Sequence, residues 1–159
     1  MSAGRPGIVS IMRRLSRVSR VPELLRSGVL TIHLEKAEGL STMGQAGFTK
    51  KYKVKVSVGS ISRVTERGKV TFQHRRNPVF DERLELLVDG DTAAAEGSQI
   101  ELEVWAAHFL RADSFKGSAV VPLRDVQRRR RMRGSWPLQH ARSGSLLMEL
   151  SWVAAPGMY

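Results

Sequence analysis

The chain contains no cysteine among its 159 residues. Disulfides, thiolate metal sites, a thiol nucleophile and prenyl or palmitoyl attachment are thereby excluded. Residue 2 is Ser, which removes the myristoylation signal as well. No apolar run approaches the ~20 residues needed to cross a bilayer. The N-terminus also lacks the uninterrupted apolar stretch and small-residue cleavage site of a secretory signal. A cytosolic protein is expected, peripheral to any membrane it meets. The sequence holds no Gly-x-Ser-x-Gly elbow, no His-Glu-x-x-His, no phosphate loop ending in Gly-Lys-Ser/Thr and no dinucleotide fingerprint. Its four histidines, His33, His74, His108 and His140, stand apart from one another. No acid, base and nucleophile can be assembled around them, so neither enzymatic activity nor a cofactor is expected.

Acidic residues are also scarce, with 15 Asp and Glu against 26 Lys and Arg, a net charge of +11. The excess is concentrated. Residues 1–27 hold Arg5, Arg13, Arg14, Arg17, Arg20 and Arg26 against Glu23 alone, and residues 124–133 hold Arg124, Arg128, Arg129, Arg130, Arg131 and Arg133 against Asp125 alone. Two dense patches on a near-neutral body point to contacts with polyanions, whereas charge kept for solubility would be spread.

At 42% hydrophobic content the chain can bury one core. The periodicity is mostly two. Leu30, Ile32 and Leu34 alternate with polar residues, as do Tyr52, Val54, Val56 and Val58, and half-buried strands have that pattern. It returns at Ile61 to Thr65, at Val70 and Phe72, at Leu84, Leu86 and Val88, at Ile100, Leu102 and Val104, around Ala119 to Leu123, and at Leu146, Met148, Leu150 and Trp152. The expected fold is all-β, an eight-stranded antiparallel Greek-key β-sandwich over residues 28–153 with a tail at 154–159.

Residues 1–27 differ in period. Ile8, Ile11, Met12, Leu15 and Val18 recur at three and four residues among the arginines, which predicts a basic amphipathic helix that Pro22 interrupts. Such a segment suits an anionic membrane through Arg13, Arg14, Arg17 and Arg20, docking on its own domain, or calmodulin. Arg13-Arg14-Leu15-Ser16 fits a basophilic kinase, and phosphate on Ser16 would weaken the grip on an anionic surface.

In order and spacing the chain resembles the C2 domain family over roughly Gly28 to Trp152. The residues that carry the resemblance are Gly28-Val29-Leu30-Thr31-Ile32 with Ala37-Glu38-Gly39-Leu40, Tyr52-Lys53-Val54-Lys55-Val56, Asn77-Pro78-Val79-Phe80-Asp81-Glu82, Leu102-Glu103-Val104-Trp105, Gly117 with Val121-Pro122-Leu123, Trp136-Pro137-Leu138, and Gly144 to Leu150. Glu96-Gly97-Ser98-Gln99 is similar to the C2 domains that accompany Rho GTPase-activating domains, including the synapse-defective type. The resemblance implies a sandwich whose end loops, in some members, hold calcium and anionic phospholipid, and a basic face that holds phosphoinositide.

Calcium needs six to eight oxygens, largely carboxylate. The implied positions in the first loop fall near Gly44 and Thr49 to Lys51, and no Asp or Glu stands between Glu38 and Glu66. In the third loop the positions correspond to Ala106, His108 and Ser114, with Asp113 the one nearby acid. No calcium and no other metal is therefore expected. Lys53 and Lys55 alternate with the inward residues of their strand, and Lys69 with Arg75 and Arg76 extends the implied lipid-binding face. The stronger candidate is the run Arg128, Arg129, Arg130, Arg131 and Arg133, read as a loop, at ~1 kcal/mol for each basic residue near an anionic membrane.

The reading is a calcium-independent targeting or scaffold module that takes a larger signalling protein to an anionic membrane or an acidic protein partner. The alternative is phosphate-backbone binding of RNA or DNA by the arginines, and the run equally suits nuclear import. Against nucleic acid stands the want of a stacking platform, since Trp105, Trp136, Trp152, Phe72 and Phe80 read as core or turn residues.

Overall fold

The computed structural model describes residues 27–42, 49–70 and 75–155. The predicted N-terminal helix, with Arg13, Arg14, Arg17, Arg20 and Ser16, lies outside them, as do Gly44, Phe72, His74 and the end of the tail. The elements in chain order are β1 (Gly28–Glu38), β2 (Thr49–Val58), β3 (Ile61–Val64), β4 (Val79–Val88), α1 (Gly90–Ala94), β5 (Gln99–His108), β6 (Arg111–Pro122), α2 (Leu123–Arg129), β7 (Arg131–Pro137) and β8 (Ser145–Ala154). The strands form two four-stranded sheets, ordered β4-β1-β8-β7 and β3-β2-β5-β6. Every pair is antiparallel.

Alternation drives the packing. Leu30, Ile32 and Leu34 from β1 meet Leu146, Met148, Leu150 and Trp152 from β8, and across the sandwich lie Tyr52, Val54, Val56, Ile100, Leu102 and Val104, all buried in one cluster. Each such side chain removed from water contributes roughly 1.5–3 kcal/mol. A register shift between Leu34 and Lys36 lets β1 turn its end inward, so that Ala37 and Leu40 also enter the core.

The structure departs from the sequence reading in three places. The strand expected at Ala119 to Leu123 begins at Arg111 and stops at Pro122. Leu123 instead opens α2, because Leu123, Val126 and Gln127 recur at helical spacing and all three are buried. Lys69 and Val70 belong to no strand, and the rest of the strand expected at Val70 and Phe72 lies outside the described residues. Thr65 to Lys69 follows β2 through single contacts only, with Tyr52 donating to the Gly68 carbonyl at 2.9 Å and Lys69 bridged to Lys51. Gly68 has φ +114°, and a Cβ there would stand 2.3 Å from the Tyr52 carbonyl oxygen, so this path requires glycine.

The third departure concerns the arginine run, which is no loop. Arg128 and Arg129 end α2, Arg130 caps it with φ 68°, and Arg131 and Arg133 belong to β7. Helical spacing gives way to alternation at that point, since Met132, Gly134 and Trp136 are half-buried and the residues between them are exposed.

Candidate anion-binding site

The β1–β2, β3–β4 and β5–β6 connections leave one end of the sandwich. The β5–β6 connection is the shortest, a two-residue turn of Phe109 and Leu110 between the paired residues His108 and Arg111. Phe109 is 66% and Leu110 88% exposed. Leu110 has φ 66°, a left-handed conformation that costs a non-glycine residue roughly 1–2 kcal/mol. Sequence reasoning passed over this pair, although the position before Arg111 is one where a tight hairpin normally places Gly, Asn or Asp.

Behind the tip, His108 is buried and its Nε2 lies 2.6 Å from Ser114 Oγ. Burial pushes the imidazole pKa down, Arg111 and Lys116 push it further, and Asp113 opposes them. His108 Nδ1 is buried without a hydrogen-bond partner. The adjacent Asp113 is directed elsewhere, with its carboxylate 2.6 Å from Lys53 Nζ. A serine and a histidine therefore meet here without the carboxylate that would orient the ring for nucleophilic catalysis. The expected ligand positions are likewise committed, with His108 to Ser114 and Asp113 to an ammonium group. Among the described residues no three His, Asp or Glu gather as a metal site would require.

The lysine face is the outer surface of β3-β2-β5-β6. Lys53 and Lys55 stand opposite Trp105 and Glu103 of β5. Cross-strand partners share a face, so the bridge to Lys51 brings Lys69 onto the same surface. The structure also places there what the sequence reading assigned to core or turn. Trp105 packs edge-on against Phe115 with ring centroids 5.2 Å apart, and its indole N–H donates to Glu103 at 3.2 Å. Trp152 and Phe80 do belong to the core. The signal for Trp105 was present, since Ile100, Leu102 and Val104 point inward and the next residue must point out. Lys53, Lys55, Val64, Glu103, Trp105 and Asp113 line a groove of about 290 Å³. Its charge is mixed, because Asp113 and Glu103 offset the lysines.

Of the remaining candidates, Arg76 is structural. Its Nε donates to the Leu40 carbonyl at 2.8 Å, while Leu40 N–H donates to the Arg76 carbonyl at 3.0 Å, so it pins the β1 exit. Arg75 is exposed in the same turn. Arg131 and Arg133 sit on the outer face of the other sheet. Arg131 Nε lies 3.0 Å from Glu149, and Arg133 grips both Glu35 oxygens at 2.9 Å. The Arg133 hydrogen bond holds the Glu35 carboxyl below its usual range and raises the guanidinium pKa in return. Arg128, Arg129 and Arg130 are exposed at the opposite end of the sandwich from Phe109 and Leu110. The predicted basic residues therefore form no single patch.

Known proteins share both the sequence pattern and the architecture. The C2 domain family profile matches residues 28–138, well over half of the chain. Among solved structures, the calcium-bound pair of C2 domains of extended synaptotagmin 2 superposes with a TM-score of 0.67 at 23% identity, covering 81% of this chain and 46% of that one. A single C2 domain of plant extended synaptotagmin 1 gives 0.62 at 17% identity, covering 83% and 98%. Human GIVD cytosolic phospholipase A2 gives 0.65 at 14% identity, covering 82% of this chain but 17% of the enzyme. The chain thus spans less than half of the first structure it matches, and at these identities the likeness concerns the fold. No curated protein matches the sequence. No helix among the described residues is long and apolar enough to cross a membrane. A match over most of the sandwich, from the first strand through β7, together with two four-stranded antiparallel sheets, places the chain in the C2 domain family.

Proposed function

We propose that this C2 domain is a calcium-independent targeting module that adheres to anionic membrane surfaces, with Phe109 and Leu110 entering the interface and basic groups around the loop end holding the phosphates. The observation that carries the proposal is Leu110. It occupies a left-handed position that disfavours leucine, and it is the most exposed large apolar residue described. Neither folding nor solubility is served by that choice, whereas an apolar tip beside Arg111 suits the boundary between headgroups and acyl chains. The commitment of His108 to Ser114 and of Asp113 to Lys53 supports adhesion without calcium. Arg128, Arg129 and Arg130 lie at the other end, which supports a role for them toward an acidic protein partner more than toward the same membrane. Borne by a longer protein, the module would localise or regulate its neighbours, a Rho GTPase-activating domain being the neighbour suggested by Glu96 to Gln99, and would do no chemistry itself.

Co-sedimentation with neutral, phosphatidylserine and phosphoinositide vesicles, each with calcium and with chelator, tests the reading. Binding to acidic vesicles that ignores calcium and is lost in Phe109→Ser with Leu110→Ser is the expected result. No binding to any vesicle removes the membrane proposal. Nucleic acid remains a second reading because half-buried Trp105 and exposed Phe115 stand beside Lys53 and Lys55, aromatics next to cations. Single-stranded RNA binding that Trp105→Ala abolishes would favour it.

A further inference from the structure

The outer face of β4-β1-β8-β7 carries contacts between polar side chains and one apolar row that spans three strands. His33 meets Asp81, Arg131 meets Glu149 and Arg133 meets Glu35. At the end of the sheet where β1 begins, the register sets Val29 opposite both Leu87 of β4 and Val153 of β8. These three side chains form one apolar row across three strands. Leu87 is 72% and Val153 64% exposed. Acidic groups border the row on the β4 side, namely Glu85 two residues before Leu87 and Asp89 and Asp91 just beyond it, all exposed. An apolar strip edged by carboxylates calls for an occupant that is apolar on one side and cationic on the other.

We propose that the occupant is the chain's own segment of residues 8–26. The segment reaches β1 at the edge of this row, since the Ala155 N–H donates to the Ser27 carbonyl at 2.9 Å and Gly28 is already paired with Val88 and Ala154. Gly28 faces inward, where a Cβ would stand 2.3 Å from the Trp152 ring, so the first outward residue is Val29. Leu25 precedes Val29 by four residues, and a chain spans at most about 3.6 Å per residue, so the row lies within reach of Leu24 and Leu25. Val18, Leu15, Met12 and Ile11 continue the same apolar stripe in sequence. Arg13, Arg14, Arg17, Arg20 and Arg26 supply the positive charge that Glu85, Asp89 and Asp91 complement. A tether this short holds the segment at an effective concentration on the order of millimolar, so a small patch suffices. Docked in this way, the arginines of the segment are withheld from other polyanions until a stronger anionic surface competes for them.

The absence of cysteine makes a direct test simple, and it needs no vesicle, so its outcome is separate from that of membrane binding. A nitroxide on Ser10→Cys of the full chain, diluted into unlabelled protein, is expected to reduce the amide signals of Val29, Leu87 and Val153 at least twofold, while those of Phe109 and Trp105 are unchanged. The pair Leu87→Asp with Val153→Asp should abolish the effect. Should that pair fail to fold, Ile11→Ser with Leu15→Ser, which alters no strand residue, must abolish it too. Loss of signal that is absent, or that persists in both variants, overturns the proposal. Broadening that arises only between labelled and isotope-enriched copies assigns the row to a second copy of the chain and overturns it equally.

Discussion

Arg133 of β7 reaches over β8 to hold both carboxylate oxygens of Glu35 on β1, each at 2.9 Å. A bidentate pair of this kind spans three strands and fixes the geometry of both groups. The same guanidinium cannot also be a loose contact for phosphate. Within one run of basic residues, structure therefore separates arginines that organise the sheet from arginines that face outward.

That separation is measurable. Arg133→Gln is expected to lower the melting temperature by a few degrees at most, more at low salt than at high, and to leave adhesion to acidic vesicles nearly unchanged. Arg128→Gln with Arg129→Gln should leave the melting temperature alone, since exposed substitutions away from special contacts usually stay within about 0.5 kcal/mol. Differential scanning fluorimetry beside pull-down with an acidic polypeptide distinguishes the two, and a loss of acidic binding is expected only in the second variant.

The loop tip makes a contrasting case. Leu110→Gly should raise stability by roughly 1 kcal/mol, because glycine removes the cost of the left-handed backbone. Its adhesion to phosphatidylserine vesicles should nonetheless fall several-fold. Urea denaturation and co-sedimentation on the same preparation check both halves, and a stabilised variant that binds as well as the parent would assign Leu110 no role at the membrane.

Most of the sandwich was legible because its strands alternate cleanly, and the buried rows of β1, β2, β5 and β8 fell where period two put them. The failures share a cause. Leu123, Val126 and Gln127 make less than two helical turns, too few to separate a helix from the end of a strand by pattern. The arginine run hid the change of period at Arg130, because five like side chains carry no hydrophobic signal. Trp105 was misread for its residue type although its place in the alternation was plain. The ion pairs of Lys53 with Asp113 and of Arg133 with Glu35 join residues 60 and 98 positions apart in sequence, and no local pattern encodes such partners.

His108 predicts how stability responds to pH. Burial depresses its folded pKa below the ordinary value of 6.5, so the unfolded chain takes up the proton first. Its contribution is therefore complete above about pH 6.5 and is lost as the pH falls below that point. Glu35, Asp81 and Asp89 act in a lower window. Their carboxyl pKa values are depressed by hydrogen bonds from Arg133, from His33 and from the Thr92 backbone, so their stabilisation persists until the pH falls below the ordinary carboxylate range. Thermal melts from pH 8 to pH 3 should show two declines. His108→Gln should remove the upper one and spare the lower.

Gly68 tests whether the irregular path beside β2 matters to the lysine face. In Gly68→Ala the new methyl carbon would meet the Tyr52 carbonyl oxygen at 2.3 Å with the backbone at φ +114°. Strain and displacement together should cost about 2 kcal/mol or more, read as a lower urea midpoint at unchanged slope. Since the Tyr52 bond to Gly68 and the Lys51 bridge to Lys69 would open together, the amide signal of Lys69 should shift more than that of Lys55.

Asp113 decides how much of the lysine face is available. Its carboxylate lies 2.6 Å from Lys53 Nζ, so the native surface presents Lys53 already neutralised. Asp113→Asn removes one negative charge and releases one ammonium group at the edge of the groove. With ~1 kcal/mol for each basic residue held near an anionic membrane, adhesion to phosphatidylserine vesicles should strengthen about fivefold at low salt. The gain should fade as ionic strength rises. It should also vanish when Lys53→Gln is added, whereas Lys53→Gln alone leaves the Asp113 carboxylate unpaired and should weaken adhesion by a similar factor. Equal binding by the parent and Asp113→Asn would remove the face of Lys53, Lys55 and Lys69 from the membrane contact and leave adhesion to the Phe109–Leu110 tip and the groups beside it.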